Sequence, residues 1–155
     1  MAPQAAQAQT EPMTTNDNKA LVRRFITEIF EQGRVESVDE LCAADFIGHT
    51  WGEIDRDGLK QTMGRVAKSL ADVHFTVEDE IAEGDSVAVR VTASARQVGE
   101  IAGQAGTGRS YTIGEIHIFR FRDGQVAEHW HQYDQLGRMK QLNPEPEAAD
   151  ATTVG

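Results

Sequence analysis

The segment HIFRFRDGQVAEHWHQYD, residues 117–134, decides how the β-sheet of this protein is assembled. Apolar and polar residues alternate on both sides of an Asp-Gly pair at 123–124, which predicts a β-hairpin. The segment carries three of the chain's five histidines, His117, His129 and His131. Successive residues of a strand point to opposite faces of a sheet, so the pairing register decides whether these imidazoles meet.

Two registers are open for this hairpin. A two-residue turn would place His117 on the opposite sheet face from His129 and His131. A three-residue loop at 122–124, closed by a glycine bulge, would instead pair His117 with His129. In that register Glu115 pairs with His131, and all four side chains share one face. We favour the three-residue loop because it separates titratable from apolar side chains. The apolar face would then carry Ile116, Ile118, Val126 and Trp130.

Helical periodicity precedes the alternating segments. Apolar spacing predicts helices over residues 16–33, 35–43 and 56–72, the first capped by Asn16 or Asp17, with a loop before the third. Strands are predicted over residues 74–84, 85–98, 110–122 and 125–134, and a short helix over residues 135–142. Helices followed by antiparallel strands indicate an α+β fold with the helices packed on one sheet face. The titratable face would look toward the helices and form a pocket. The apolar face has no helix left to cover it, which predicts a homodimer formed through the sheet.

Composition narrows the class of protein. The chain has 155 residues and a formal net charge of -10, which argues against binding to nucleic acid or to an anionic membrane surface. It contains one cysteine, Cys42, in an apolar helical stretch, where a small buried residue is expected. A single cysteine fits a reducing cytoplasm. No apolar run is long enough to span a bilayer, and the first residues lack the features of a secretory signal.

The chain is expected to hold one ordered domain between two tails. Residues 1–16 are rich in Ala, Gln, Thr and Pro without periodicity, and residues 144–155 are polar and broken by proline. Both compositions predict disorder. The ordered domain is therefore placed at residues 17–143.

Several motifs resemble a known family. The segments EGDSVAVR, TGR, HIFRFRDGQVAEHW and DQLGRMKQL resemble the SnoaL-like polyketide cyclases, which belong to the nuclear transport factor 2-like superfamily. The resemblance covers about residues 18–143. It implies a cone-shaped α+β barrel, in which a strongly bent, mainly antiparallel sheet wraps around the helices and encloses a deep apolar pocket. It also implies dimerisation through the sheet, no metal or organic cofactor, and an intramolecular aldol ring closure by general acid/base catalysis.

The resemblance assigns roles to two positions and departs from the family at one of them. The family's histidine falls on His117, whereas its catalytic aspartate falls on His131. A histidine can still take a proton, because imidazole ordinarily titrates near pH 6.5. We therefore predict a cyclase or isomerase that moves protons on a small hydrophobic, oxygenated molecule, with His131 as base. The enolate oxygen needs a hydrogen-bond donor, for which His117, Tyr133 and Trp51 are candidates.

The remaining candidates surround these residues in the sequence. Asp134 begins the last helix, where it either caps the helix or orients a neighbouring imidazole. Glu115 could pair with a histidine and raise its pKa. The predicted catalytic residues are His131, His117 and Asp134. The predicted ligand-binding residues are His49, Trp51, Tyr133, His129 and Glu115.

Two other functions stay open at this point. The domain could be a small-molecule binding module without catalysis, since one fold hosts many functions. It could also be a metalloenzyme, because His117, His129 and His131 would supply three imidazoles beside the carboxylate of Glu115. The spacing matches no strict metal signature and the resembled family is metal-free, so no cofactor is predicted.

Overall fold

The computed structural model describes residues 13–146 of the chain. Its helices are α1 (Thr15–Arg24), which continues as a π-helix over Phe25–Glu31, α2 (Ser37–Leu41), α3 (Arg56–Ser69) and α4 (Gln135–Leu142). Its strands are β1 (Cys42–Gly48), β2 (Leu70–Glu83), β3 (Ser86–Gln97), β4 (Ser110–Arg122) and β5 (Gln125–Tyr133). Within the predicted tails, residues 1–12 and 147–155 lie outside the described part of the chain. No helix of residues 13–146 is long and apolar enough to cross a membrane.

The first helix begins earlier than the sequence predicts. Thr14, rather than Asn16 or Asp17, is the N-cap, and its hydroxyl accepts the backbone N–H of Asp17 at 3.1 Å. The Asp17 carboxylate accepts the Thr14 N–H in return, at 2.9 Å. This reciprocal capping satisfies two backbone donors that would otherwise have no helical partner. The helix therefore extends into the predicted N-terminal tail.

The five strands form one mixed, open sheet in the order β1-β5-β4-β3-β2. β1 runs parallel to β5, and the other neighbours are antiparallel. The α+β fold is therefore confirmed, although the sheet is not closed into a barrel. The sequence analysis missed β1 and assigned Cys42–Gly48 to a helix end and a loop, because CAADFIG shows no clear alternation of apolar and polar residues.

The hairpin of β4 and β5 has a two-residue turn, so the predicted three-residue loop is wrong. Asp123 and Gly124 both have positive φ, 51° and 74°, as a type I′ turn requires. A bulge follows the turn, since pairing shifts between the Phe121–Val126 pair and the next pair. Ala127 is the extra residue. Two consecutive residues of β5 therefore face inward, and the predicted outward position of Val126 is also wrong.

Because of the bulge, the three histidines and Glu115 lie on one face of the sheet, as the predicted three-residue loop would also have placed them. Beyond the bulge His129 lies opposite Phe119, and His131 lies opposite His117. Glu115 lies opposite Tyr133 rather than His131. The predicted pairs are therefore wrong, but the predicted common face is right. A bulge and a three-residue loop each add one residue to the register, so they place the distal side chains on the same side.

The two faces of the sheet differ in burial. Phe25 and Ile29 of the π-helix pack against Phe119 and Val89 on the inner face, in one buried apolar cluster. The outer face is partly exposed, with Ile116 at 54% and Ile118 at 43%. Dimerisation through this outer face stays a prediction.

Gln97 fixes the long loop between β3 and β4. Its side chain is 1% exposed, and its amide nitrogen lies 3.1 to 3.3 Å from three loop carbonyls, those of Gly99, Gln104 and Ala105. Its amide oxygen accepts the hydroxyl of Thr107 at 3.2 Å. One buried side chain therefore replaces the regular pairing that this part of the chain lacks.

Replacing Gln97 by alanine is expected to lower the free energy of unfolding by about 1–3 kcal/mol, because the hydrogen bonds that tie the loop to the buried Gln97 side chain would be lost. Urea denaturation at neutral pH measures the change. Gln132→Ala is the matched control, since Gln132 lies exposed on β5 and its loss is expected to cost less than about 0.5 kcal/mol. Equal losses in the two variants would contradict the assigned role of Gln97.

Candidate functional site

The inner face of β4 and β5 carries a cluster of four titratable side chains. Glu115, His117, His129 and His131 are 8%, 0%, 3% and 5% exposed. The ring of Phe30, from the π-helix, makes edge contacts with all three imidazoles at centroid distances of 5.4 to 5.8 Å. Phe30 thereby covers the cluster from the helical side and keeps bulk water away from it.

Hydrogen bonds connect the four side chains. Glu115 Oε2 lies 3.0 Å from His117 Nε2 and 3.0 Å from His131 Nε2. His117 Nδ1 lies 2.9 Å from His129 Nε2. Glu115 is therefore the centre of the cluster, with one imidazole on the pocket side and two on the core side.

Glu115 is ionised at neutral pH. Burial raises the pKa of its carboxyl, but the hydrogen bonds from His117 and His131, and the charges that these imidazoles carry once protonated, outweigh burial and bring the pKa down to about 2. An ionised carboxylate only accepts hydrogen bonds. The Nε2 atoms of both histidines must therefore carry hydrogens and donate to Glu115.

The two core-side imidazoles are neutral at pH 7. Burial lowers the pKa of His117 to about 4, although the hydrogen bond to Glu115 acts in the opposite direction. Glu115 does act to raise the pKa of His117, as predicted, but burial lowers this pKa by more. Burial, and then the neighbouring imidazoles, holds the pKa of His129 well below its usual value. His117 has its one hydrogen on Nε2, so its Nδ1 accepts the Nε2–H of His129.

His131 combines a place in the sheet face with one ring nitrogen that makes no hydrogen bond within residues 13–146. Its Nδ1 is buried and has no hydrogen-bond partner among the described residues. Its Nε2 donates to Glu115, so in the neutral ring the lone pair lies on Nδ1. A buried nitrogen with an unused lone pair is the group that can accept a proton from a bound molecule.

A narrow, mostly apolar pocket opens beside His131. Both His131 and Glu115 line it, and Trp51 and Tyr133 add polar groups. It contains about 500 Å³ of empty space including its mouth. Such a slot suits a small or flat apolar molecule with a few polar groups. Its apolar lining includes Phe30, Met63, Val66, Leu70, Val73 and Phe75.

Half of the predicted site residues lie in this pocket. His131, Glu115, Tyr133 and Trp51 line it. His117 does not, because it is fully buried behind Glu115, to which its Nε2 is hydrogen-bonded. The side chain of His129 lies on the core side of the cluster, hydrogen-bonded to His117, so it does not contact a ligand in the pocket either.

Two further predicted residues lie outside the pocket. The ring of His49 stacks on Trp130, which projects from the outer face of β5, with centroids 4.7 Å apart and planes 8° apart. Asp134 caps α4, where its Oδ1 accepts the backbone N–H of Gly137 at 2.8 Å. The structure therefore places Asp134 and His49 outside the pocket that His131 lines.

Three polar residues of the pocket were not predicted from the sequence. They are Ser94 in β3, Tyr111 near the start of β4 and Arg138 in α4. Burial raises the pKa of Tyr111. The alternation of β4 places Tyr111 on the same face as Glu115, which was a usable signal. No signal existed for Arg138, because the rotation of a short helix about its axis is set by tertiary packing.

Three of the clustered residues could hold a metal ion by composition. The ligand atoms of Glu115, His117 and His131 lie within 4.8 Å of one another. The rings of the two histidines, however, stack with centroids 4.1 Å apart and planes 12° apart. An ion between two stacked rings lies out of both ring planes, whereas an imidazole nitrogen coordinates a metal within its plane. The observed ring orientations fit hydrogen bonds to Glu115 and do not fit shared coordination of a metal.

Known proteins resemble the chain over nearly all of its described length. The family model described as SnoaL-like polyketide cyclase matches residues 20–142. Aklanonic acid methyl ester cyclase AcmA of Streptomyces galilaeus is 29% identical over 136 residues, covering 83% of this chain and 92% of its own. The corresponding cyclase DnrD of Streptomyces peucetius is 26% identical over 136 residues, covering 82% and 93%. The solved structure of TsrD from Streptomyces laurentii superposes with a TM-score of 0.78 at 29% identity, covering 85% of this chain and 98% of that one.

Proposed function

The chain belongs to the SnoaL-like polyketide cyclase family, and from this premise we propose that it closes a ring in a small polyketide-like molecule by an intramolecular aldol reaction. One observation carries the proposal. His131 lines the pocket and has a buried Nδ1 without a partner in the described part of the chain, while its Nε2 is held by the ionised Glu115. This arrangement is that of an oriented general base.

The proposed reaction moves one proton and forms one carbon–carbon bond. His131 Nδ1 takes a proton from a carbon next to a substrate carbonyl, which leaves an enolate. The enolate carbon attacks a second carbonyl of the same molecule, and the new alkoxide takes the proton back from the imidazolium of His131. No atom is gained or lost, so the product has the mass of the substrate. The negative charge of Glu115 stabilises the imidazolium while it exists.

Two pocket residues are suited to stabilise the enolate oxygen. Tyr133 can donate its phenolic O–H and Trp51 its indole N–H, and both line the pocket with His131. The Tyr133 ring lies 5.0 Å from the His131 ring, and the Trp51 ring lies 6.0 Å from it. A donor fixed near the position of the developing negative charge lowers the barrier of such a reaction.

The carboxylate that the resemblance expects at position 131 has an equivalent on the neighbouring strand. Glu115 of β4 lies 3.0 Å from His131 of β5, so the pair places a negative charge behind the base instead of using the carboxylate as the base. His117 donates to Glu115 from the core side, and His129 in turn donates to His117. The departure from the family pattern is therefore compatible with the same chemistry.

The proposal is tested by incubating the purified chain with aklanonic acid methyl ester, nogalonic acid methyl ester and the two corresponding free acids. The esters are the compounds in the names of relatives that are 26–29% identical to this chain. We expect at least one compound to give a product of unchanged mass with one carbonyl fewer, measured by liquid chromatography with mass and absorbance detection. Conversion no faster than without protein for all four compounds would contradict the proposal.

A further inference from the structure

Arg138 places a positive charge in the wall of the apolar pocket. Its Cζ lies 5.0 Å from the centre of the Tyr133 ring and 5.8 Å from that of Tyr111. Contacts of this kind hold a guanidinium by attraction to the faces of aromatic rings. Its Nη2 donates to the side chain of Gln135 one turn earlier in α4. The head group is thus held in place by neutral partners alone.

No carboxylate of residues 13–146 forms an ion pair with Arg138. The Arg138 Nε is buried and has no hydrogen-bond partner within the same part of the chain. Glu115 is the one other charged residue that lines the pocket, and two histidines already donate to its Oε2. An unpaired charge and an unpaired buried N–H both cost free energy, which an anionic ligand would recover.

We propose that Arg138 binds a carboxylate of the ligand, so that the substrate class is a free carboxylic acid. The planar guanidinium can donate two parallel hydrogen bonds to a carboxylate. The aklanonic and nogalonic relatives are named for methyl esters, which lack this charge. The inference rests on the proposed function for the identity of the pocket as the site.

The positions of Arg138 and His131 set the shape of the ligand. The Tyr133 ring lies 5.0 Å from each, so the guanidinium carbon and the imidazole centre are separated by no more than about 10 Å. A molecule anchored by its carboxylate at Arg138 would lie along Tyr133 and present a carbon to His131 Nδ1. The carboxylate therefore selects the ligand and fixes which carbon meets the base.

The test compares the binding of 2-naphthoate and methyl 2-naphthoate by isothermal titration calorimetry. The two probes have the same rings and differ in the charge that Arg138 would bind. We expect the unmodified chain to bind the acid about tenfold more tightly than the ester, and Arg138→Gln to remove the preference. An unmodified chain that binds both alike, or neither, would overturn the inference.

Two further variants separate this role from structural effects. Lys140→Gln removes one positive charge from the exposed side of the same helix, and we expect it to keep the preference for the acid. Arg138→Lys retains the positive charge but lacks the planar set of N–H donors of the guanidinium. We expect this variant to keep part of the preference for the acid, even if Arg138→Gln fails to fold. Loss of the preference in Lys140→Gln, or no loss in either variant at position 138, would overturn the inference.

Failure here is distinguishable from failure of the proposed function. His131→Gln is expected to keep the tenfold preference for the acid, because the anchor is unchanged. A chain that prefers the acid but converts no substrate would retain the inference and lose the cyclase proposal. A chain that converts substrate but binds both probes alike would retain the cyclase proposal and lose the inference.

Discussion

His131→Gln is expected to lower kcat by about 10²- to 10⁴-fold, the range over which a positioned general base contributes. Glutamine has a similar length and can still donate a hydrogen bond to Glu115, so the fold is expected to persist. Its side-chain amide has no nitrogen that accepts a proton at neutral pH. The loss therefore reports removal of the base, and it is measured as product formed per enzyme with circular dichroism as the check of folding.

His49→Gln is the matched control for this experiment. It removes a histidine that stacks on Trp130 outside the pocket, and we expect kcat to stay within about twofold of the unmodified chain. Pretreatment with a chelator is expected to leave kcat unchanged, because the stacked rings of His117 and His131 are oriented for hydrogen bonds to Glu115 rather than for shared coordination of a metal. A His131→Gln chain with kcat within tenfold of the unmodified chain, or a chelator that abolishes activity, would contradict the assignment.

The free energy of unfolding is expected to fall as the pH falls from 6.5 to 4. Burial lowers the pKa of His117 from 6.5 to about 4 in the folded chain. Between these values the unfolded chain binds a proton that the folded chain does not, so acid favours unfolding. For His117 the loss is on the order of 3 kcal/mol. The lowered pKa of His129 adds to the loss in the same direction.

Glu115 acts in a lower pH window. Its pKa is about 2 in the folded chain against 4.5 in the unfolded chain, so it stabilises the fold above pH 4.5. That contribution, also on the order of 3 kcal/mol, is lost as the pH falls from 4.5 to 2. The windows of His117 and Glu115 overlap only between pH 4.5 and pH 4, so most of the histidine contribution is lost before that of the carboxylate.

Urea denaturation at half-unit steps from pH 7 to pH 4 measures this dependence. The unmodified chain is expected to lose stability steadily across the range, and His117→Gln is expected to show a shallower slope because one buried imidazole is gone. A stability that stays constant from pH 7 to pH 4, or a slope unaffected by His117→Gln, would show that these imidazoles are not buried as neutral groups.

The sequence predicted the shared face of the site but not its detailed pairing. Alternation along β4 and β5 places Glu115, His117 and His131 on one side, and the structure has them there. The bulge at Ala127 could not be predicted, because QVAEHW contains no glycine to mark it. The register of β4 and β5 depends on which of their side chains pack in the core, and packing against the helices that cover the sheet determines this.

Loop and helix residues were harder to place than strand residues. His49 is close in sequence to the pocket residue Trp51, and Asp134 follows the pocket residue Tyr133. His49 nevertheless stacks on the outer side of the sheet, and Asp134 caps a helix. The bounds of α4 were predicted correctly at residues 135–142, but not that Arg138 turns into the pocket. Periodicity locates a short helix along the chain and leaves its rotation to tertiary contacts.

Deuterium exchange into the substrate tests the role of His131 most directly, because it reports proton abstraction separately from ring closure. The compound that the chain converts is incubated in D₂O, and deuterium at the carbons next to its carbonyl is followed by mass spectrometry. With the unmodified chain, exchange is expected to exceed the rate measured without protein. With His131→Gln, which is expected still to bind 2-naphthoate, no exchange above that rate is expected. Exchange by His131→Gln at the rate of the unmodified chain would contradict the role of His131 as the base.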